Sequence, residues 1–376
     1  MDALILSCST GGGHNAAGAA LREELEARGH RVVMMDPYEL FGKKAAVTIG
    51  NIYIKMVQRS PKSFGVLYFL GSLVRRFPGK SPIYHVNYAA AKRLRDYLKM
   101  HHFDVILMPH LYPAELITHL KHSKDALPLC IFIATDYTCI PFTEETDCDY
   151  YVIPGESQRR EFVKRGISEE KLLPFGIPTS PAFDLQMDKR MARKELGLHE
   201  NGKYVLLTGG SIGAGSMQST IQILLKLFQE RNRDDQLIVI CGNNEKLYRK
   251  LSRKYNNRLI LIQRTNQMAL YMRACDLFIS KPGGLSSTEA AVMGVPYIQI
   301  TPIPGCETKN MRYFSKTGMS YAVWHPQRTL KKAVIKLEKT ENRSKMEQCQ
   351  KKGLPQKART RICDWIEQKL QGNINV

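Results

Sequence analysis

Residues 3–35 read ALILSCSTGGGHNAAGAALREELEARGHRVVMM, and the order of features in this stretch decides the fold. Residues 3–8 form a short apolar run of strand type. A glycine-rich turn, Thr10-Gly11-Gly12-Gly13-His14, follows it. Residues 16–28 carry the apolar spacing of a helix and stop at Gly29, and residues 31–35 form a second strand. Parallel neighbours cannot be joined by a tight hairpin and need a crossover, usually a helix. The order strand, glycine turn, helix, strand therefore opens a parallel α/β sheet.

Working outward, strand-type runs recur at 105–108, 129–134 and 150–153, with helical stretches between the earlier ones. The second half repeats the plan. Residues 204–208 are a strand, the turn Gly209-Gly210-Ser211-Ile212-Gly213-Ala214-Gly215 follows, and a helix runs to about Gln229. Further strands read at 237–241, 259–262, 277–280 and 297–300. The stretch 174–198, with Pro174, Gly176, Pro178 and Pro181, reads as the connection. The expectation is two Rossmann-like domains, 1–178 and 179–376, facing an interdomain cleft, the second ending in a basic helical tail. Ligands of such sheets gather at the carboxyl ends of the strands.

The bulk numbers fit this plan. A chain of 376 residues is about right for two domains, and 43% hydrophobic residues suffice for two cores. Lys and Arg number 55 against 35 Asp and Glu, a net charge of +20. Such an excess points to an anionic partner: nucleic acid, a membrane surface or an anionic substrate. No RNP or zinc-finger motif is present, so nucleic acid is not expected. The nine cysteines are dispersed, with no CxxC pair and no metal-ligand spacing. The chain starts without a basic n-region, and its longest apolar run, 64–74, falls short of the roughly 20 residues of a spanning helix. A cytoplasmic protein, peripheral on the inner face of the cell membrane, is expected. The stretch 43–84 supports this, because it interleaves Tyr53, Lys55, Arg59, Phe64, Tyr68, Phe69, Arg75 and Arg76 as an interfacial element does.

Four places carry candidate chemistry. Gly12 and Gly13 let a ligand approach the backbone, and His14 stands at a helix start, where a histidine serves as a base or simply as a turn residue; spacing alone leaves both open. Asp136 follows the strand 129–134 and is a candidate base or base partner, or a turn former. The turn 209–215 suits phosphate or a tight strand-to-helix connection. The most specific stretch is Ser280-Lys281-Pro282-Gly283-Gly284-Leu285-Ser286-Ser287-Thr288-Glu289. There a strand ends, two glycines turn, and a helix begins whose first amides suit a diphosphate, while Glu289 can accept two hydrogen bonds from a diol. Next comes the loop Thr301-Pro302-Ile303-Pro304-Gly305-Cys306-Glu307-Thr308-Lys309-Asn310, in which Glu307 and Asn310 can bind sugar hydroxyls.

These motifs resemble glycosyltransferase family 28, and within it the branch of plant monogalactosyldiacylglycerol synthases and bacterial processive diacylglycerol glucosyltransferases. The likeness runs over about residues 3–325. It rests on 282–296 with 302–310, and on Gly11–His14, Thr135-Asp136, Gly176-Ile177-Pro178 and 209–215 in the expected order. The resemblance implies a GT-B fold and metal-independent inversion, with no cofactor beyond a UDP-sugar co-substrate. It places a diacylglycerol-type acceptor in the first domain and the donor in the second. It implies that Glu289 holds the ribose. Gly210, Ser211, Ile212, Gly283, Gly284, Leu285 and Ser286 would line the diphosphate, and Gly305, Cys306, Glu307 and Asn310 the hexose. It also implies that His14 and Asp136 serve the acceptor hydroxyl. Two positions depart from the family pattern: Cys306 stands where Gln is frequent, and Ile140 where His is frequent. Transfer of an N-acetylhexosamine to a polyprenyl-diphosphate lipid, epimerisation of a UDP-sugar, and non-catalytic UDP-sugar sensing are the rival readings.

Overall fold

The computed structural model describes residues 1–8, 12–42, 81, 84–85, 87–211, 213, 216–232, 234–255 and 258–374. Contacts divide the chain into two compact units, Met1–Pro181 with Pro355–Val376, and Ala182–Leu354.

The first unit is a six-stranded sheet of β1 (Asp2–Leu6), β2 (Arg31–Met35), β3 (Val105–Met108), β4 (Leu129–Ile133), β5 (Tyr150–Val152) and β6 (Leu172–Leu173), in the order β2-β1-β3-β4-β5-β6. Every pairing is parallel. The strands read as continuous apolar runs because both faces are covered. Alternate residues part to opposite sides. Leu4, Leu6, Ile106 and Met108 pack with Leu116 and Leu120, while Ala3, Ile5, Val105 and Leu107 pack with Leu21, Leu25, Ile362 and Ile366.

The second unit repeats this with β7 (Lys203–Thr208), β8 (Asp235–Ile240), β9 (Ile260–Ile262), β10 (Leu277–Ser280), β11 (Tyr297–Ile300) and β12 (Tyr321–Val323), ordered β12-β11-β10-β7-β8-β9 and all parallel. In both sheets the chain moves outward from its first strand, then returns to that strand's other side. The strand order thus reverses between β1 and β3, and between β7 and β10. At such a switch point the flanking crossovers diverge and leave a crevice at the carboxyl ends of the strands.

The end of the chain corrects the expected division. Residues 355–376 belong to the first unit rather than trailing the second. The helix Ala358–Ile374 buries Ile362, Cys363 and Ile366 against the first sheet's core. Around that contact, Arg28 meets Asp364 and Glu367 at 2.8 and 2.9 Å, His30 meets Glu367 at 2.7 Å, and Arg359 meets Glu24 at 2.9 Å. The return is seated on Gly176, where an added Cβ would lie 3.1 Å from Ala358. The short edge strands β6 and β12 also lie outside the sequence reading, since two or three residues carry no periodicity. Tyr53, Lys55, Arg59, Phe64, Tyr68, Phe69, Arg75 and Arg76 fall outside the described residues. No described helix is long and apolar enough to cross a membrane.

Candidate active site

In the first unit, three neighbouring strands deliver the polar groups. The helix Gly12–Ala27 starts just after β1 and carries His14 in its first turn. Pro109 and His110 follow β3, and Thr135 and Asp136 follow β4. His14, Pro109, Thr135 and Asp136 line one small recess with Thr138, Ile140 and Phe162. The residues first singled out, His14 and Asp136, are thereby brought together.

His14 Nδ1 lies 2.7 Å from the Pro109 carbonyl oxygen and 2.9 Å from Thr135 Oγ1. A carbonyl only accepts, so Nδ1 carries the proton and Nε2 keeps the lone pair, with the Thr135 hydroxyl beside the same edge. The side chain is only half-buried by area, yet desolvation dominates and pushes its pKa down. The Asp136 charge and the Pro109 hydrogen bond pull the other way. The result is an imidazole that is neutral at neutral pH and still has an opposite charge nearby to favour an imidazolium formed in passing. No described residue bonds Nε2.

In the second unit, the turns after β7, β10 and β11 converge. Lys281 is buried, and its Nζ donates to Glu307 Oε1 at 2.8 Å. Its Nζ and Cε also lie 3.9 and 3.6 Å from where a Gly210 Cβ would stand. The Lys281 carbonyl accepts from Ser280 Oγ and Tyr297 Oη at 2.8 and 3.1 Å, and the Pro282 carbonyl accepts from Asn310 Nδ2 at 3.1 Å. The loop is thus pinned on both peptide groups before the helix Gly284–Val292 begins. Gly283 is that helix's N-cap and supplies no capping side chain. A Cβ on Gly283 would meet nothing within 4 Å, so the space in front of the first-turn amides is open. Leu285 and Ser286 belong to that same first turn.

Glu289 lies in the second turn of this helix, 9% exposed. Burial alone pushes its pKa up, to about 8, and no described residue gives its carboxyl a hydrogen bond or ion pair. A buried carboxyl without a partner is costly unless a ligand supplies one. The turn after β7 is braced from the side. Asn243 N donates to the Ser211 carbonyl at 2.8 Å, and Asn244 Nδ2 to the Gly213 carbonyl at 3.0 Å. Gly213 has φ +60°, and a Cβ there would collide with the Cys241 carbonyl oxygen, so this glycine serves tight packing. Ile212 lies outside the described residues.

Two residues expected to meet the hexose also have structural contacts. Asn310 has 0% exposure and its amide donates to the Pro282 carbonyl, which holds the loop. Both oxygens of Glu307 are engaged, one by Lys281 and the other by the Ile303 amide at 2.7 Å. These two residues build the loop that carries Gly305 and Cys306, which flank the start of the helix Cys306–Lys316. Sequence reasoning passed over Lys281 and His110. Lys281 stands inside the quoted motif, and an apolar-looking stretch that contains a single lysine at a strand end was its one signal. His110 gave none. Beside the undescribed stretch, Phe41 and Tyr88 are 44% and 66% exposed, and the Arg93 guanidinium sits 5.9 Å from the Phe41 ring centre.

Comparison with known proteins matches residues 14–179 to the domain described as monogalactosyldiacylglycerol (MGDG) synthase, and residues 204–361 to the glycosyltransferase family 28 C-terminal domain. The chain is 24% identical over 371 residues to the processive diacylglycerol beta-glucosyltransferase of Bacillus pumilus, covering 97% of this chain and 94% of that one. It is 29% identical over 335 residues to a probable chloroplastic monogalactosyldiacylglycerol synthase of Nicotiana tabacum, covering 84% of this chain and 60% of that one. Among solved structures, Acinetobacter baumannii MurG shares the fold, with a TM-score of 0.61 at 13% identity, over 98% and 99% of the two chains. The architecture is that of the GT-B glycosyltransferases.

Proposed function

The chain belongs to glycosyltransferase family 28, and on that premise we propose that it moves a hexose from a UDP-sugar to a diacylglycerol-type lipid, with inversion, at an anionic membrane surface. The observation that carries the chemistry is His14: neutral, proton on Nδ1, lone pair on Nε2, at the strand-order switch of the domain matched to MGDG synthase. Nε2 takes the proton of the acceptor hydroxyl as the oxygen attacks the anomeric carbon, and the bond to the UDP oxygen breaks. A single displacement inverts that carbon. Asp136 stabilises the imidazolium that forms. Glu289 accepts from the ribose hydroxyls, and the first-turn amides of Gly284, Leu285 and Ser286, with Lys281 and the Gly210-Ser211 turn nearby, meet the charge that develops on the diphosphate.

The same reading gives the +20 charge and the stretch 43–84 their role, which is to hold the protein on anionic lipid next to its acceptor. The test is direct. The protein is incubated with UDP-glucose, UDP-galactose or UDP-N-acetylglucosamine and vesicles of anionic phospholipid that carry either diacylglycerol or a polyprenyl-diphosphate lipid. Lipid products are identified by mass, and the new linkage by its anomeric proton coupling. A β-linked hexosyl-diacylglycerol is expected from an α-linked donor. Product only on a polyprenyl-diphosphate lipid would move the acceptor to the rival class, and UDP binding without any transfer would leave a sensor.

A further inference from the structure

The wall of the His14 recess holds a group that the transfer chemistry leaves unused. His110 directly follows Pro109, whose carbonyl accepts the hydrogen bond from His14 Nδ1–H. Its ring meets the His14 ring edge-on, with centroids 4.5 Å apart and planes at 78°. His110 is 8% exposed, and its Nδ1 accepts from the Tyr112 amide at 3.1 Å as the N-cap of the helix Leu111–His122. An accepting nitrogen carries no proton, so His110 is the neutral Nε2–H tautomer, and charging it would break the cap. Burial, and after it the neighbouring His14, hold His110 well below the usual histidine range. The Tyr112 ring packs edge-on against His110 with centroids 4.7 Å apart.

We propose that His110 is a positioning residue, whose ring seals the edge of the His14 imidazole against water and so holds the base in its neutral form. The inference rests on the reading of His14 as the base. Among the described residues, the groups that face His14 include Asp136, the Thr135 hydroxyl, the Pro109 carbonyl and His110, and those that face His110 include His14 and Tyr112. Of these, only Asp136 favours a charged His14 by its own charge. A ring that stays neutral near neutral pH occupies space where water would solvate an imidazolium, so it favours the neutral base.

Two variants separate the ring from the cap. Asn is among the best N-cap residues, so His110→Asn keeps the helix start and loses the ring. His110→Phe keeps a ring and loses the acceptor. The His14 titration is followed by NMR in histidine-labelled protein, assigned with His14→Ala, beside the pH dependence of kcat/KM. In His110→Asn the His14 pKa rises towards the ordinary histidine range and the acid limb moves up with it, so the rate at pH 6 relative to pH 8 falls severalfold. In His110→Phe both stay near their wild-type positions and only thermal stability drops. An unmoved His14 titration in folded His110→Asn overturns the inference, as does an equal shift in His110→Phe, which alone decides the matter if the Asn variant does not fold. A His14 titration that moves while the acid limb stays put upholds the contact between the rings and removes His14 as the base.

Discussion

Each side chain of the site owes its chemistry to one or two neighbours. An acceptor hydroxyl is a poor nucleophile until its proton is removed, and the proposed function gives that task to His14, neutral and Nδ1-protonated. His14→Ala is expected to cut turnover roughly 10²–10⁴-fold while leaving UDP affinity unchanged. If Asp136 acts through His14, the double variant with Asp136→Asn is little slower than the slower single variant; steady-state rates with vesicle substrate decide this. Glu289 links stability to function. Its pKa is raised from an ordinary 4.5 to about 8, so between those values the folded protein holds a proton that the unfolded chain has released. That contribution favours the fold at low pH and is lost as the pH rises through about 8. Glu289→Gln should therefore stabilise the ligand-free protein at pH 8 to 9, read by thermal melting. Glu289→Ala should weaken UDP binding by about 1.5–3 kcal/mol, read by calorimetry. A folded Ala variant with wild-type UDP affinity would remove Glu289 from the donor site. Gly283 has ordinary extended φ and ψ and open space at its Cβ position. Gly283→Ala is expected to fold with near-normal stability and to bind UDP less tightly, because the new methyl stands where the diphosphate approaches. Loss of stability with retained affinity would reverse that assignment.

At the scale of elements, the turns that present these groups are held by other turns. Lys281, Tyr297, Glu307 and Asn310 fix the β10 and β11 loops, and the turn after β8 braces the one after β7 through Asn243 and Asn244. Pre-organised amides need no rearrangement when charge develops in front of them, which is the reason such bracing serves catalysis. The C-terminal helix is the element whose place was least foreseeable. Ile366 has 0% exposure and belongs to the same cluster as Ile5, Leu21 and Leu25. Ile366→Ala should cost about 2–5 kcal/mol, as large-to-small changes in a core do. Differential scanning calorimetry, together with hydrogen exchange on β1 and β3, checks that the loss is felt in the first unit. Protection lost in the second unit instead would contradict the packing described.

At the scale of the whole molecule, the net charge of +20 is the dominant long-range property. Each basic residue close to an anionic surface contributes about 1 kcal/mol, and the attraction fades within a Debye length of roughly 8–10 Å at ordinary salt. Co-sedimentation is expected to require anionic vesicles and to weaken steeply in high salt; equal binding to neutral vesicles at every salt concentration would discard the electrostatic account. By itself the sequence determined that the chain forms two parallel α/β sheets, and which strand ends carry glycines and polar groups. Apolar runs of strand length with helices between them leave few topologies, since crossovers are right-handed and parallel strands bring their carboxyl ends to one edge. The tertiary structure alone decided which of those ends are neighbours and what their side chains then do. His14 reaches partners 95 and 121 residues away, and those partners select its tautomer. Glu307 and Asn310 look like free polar groups in the sequence, but in the fold they also hold their own loop, through Lys281, the Ile303 amide and the Pro282 carbonyl. The final helix, basic at its start, supplies core to the unit in which the chain began. Desolvation and hydrogen bonding act over a few ångströms between residues far apart along the chain, and no periodicity in the sequence records those distances.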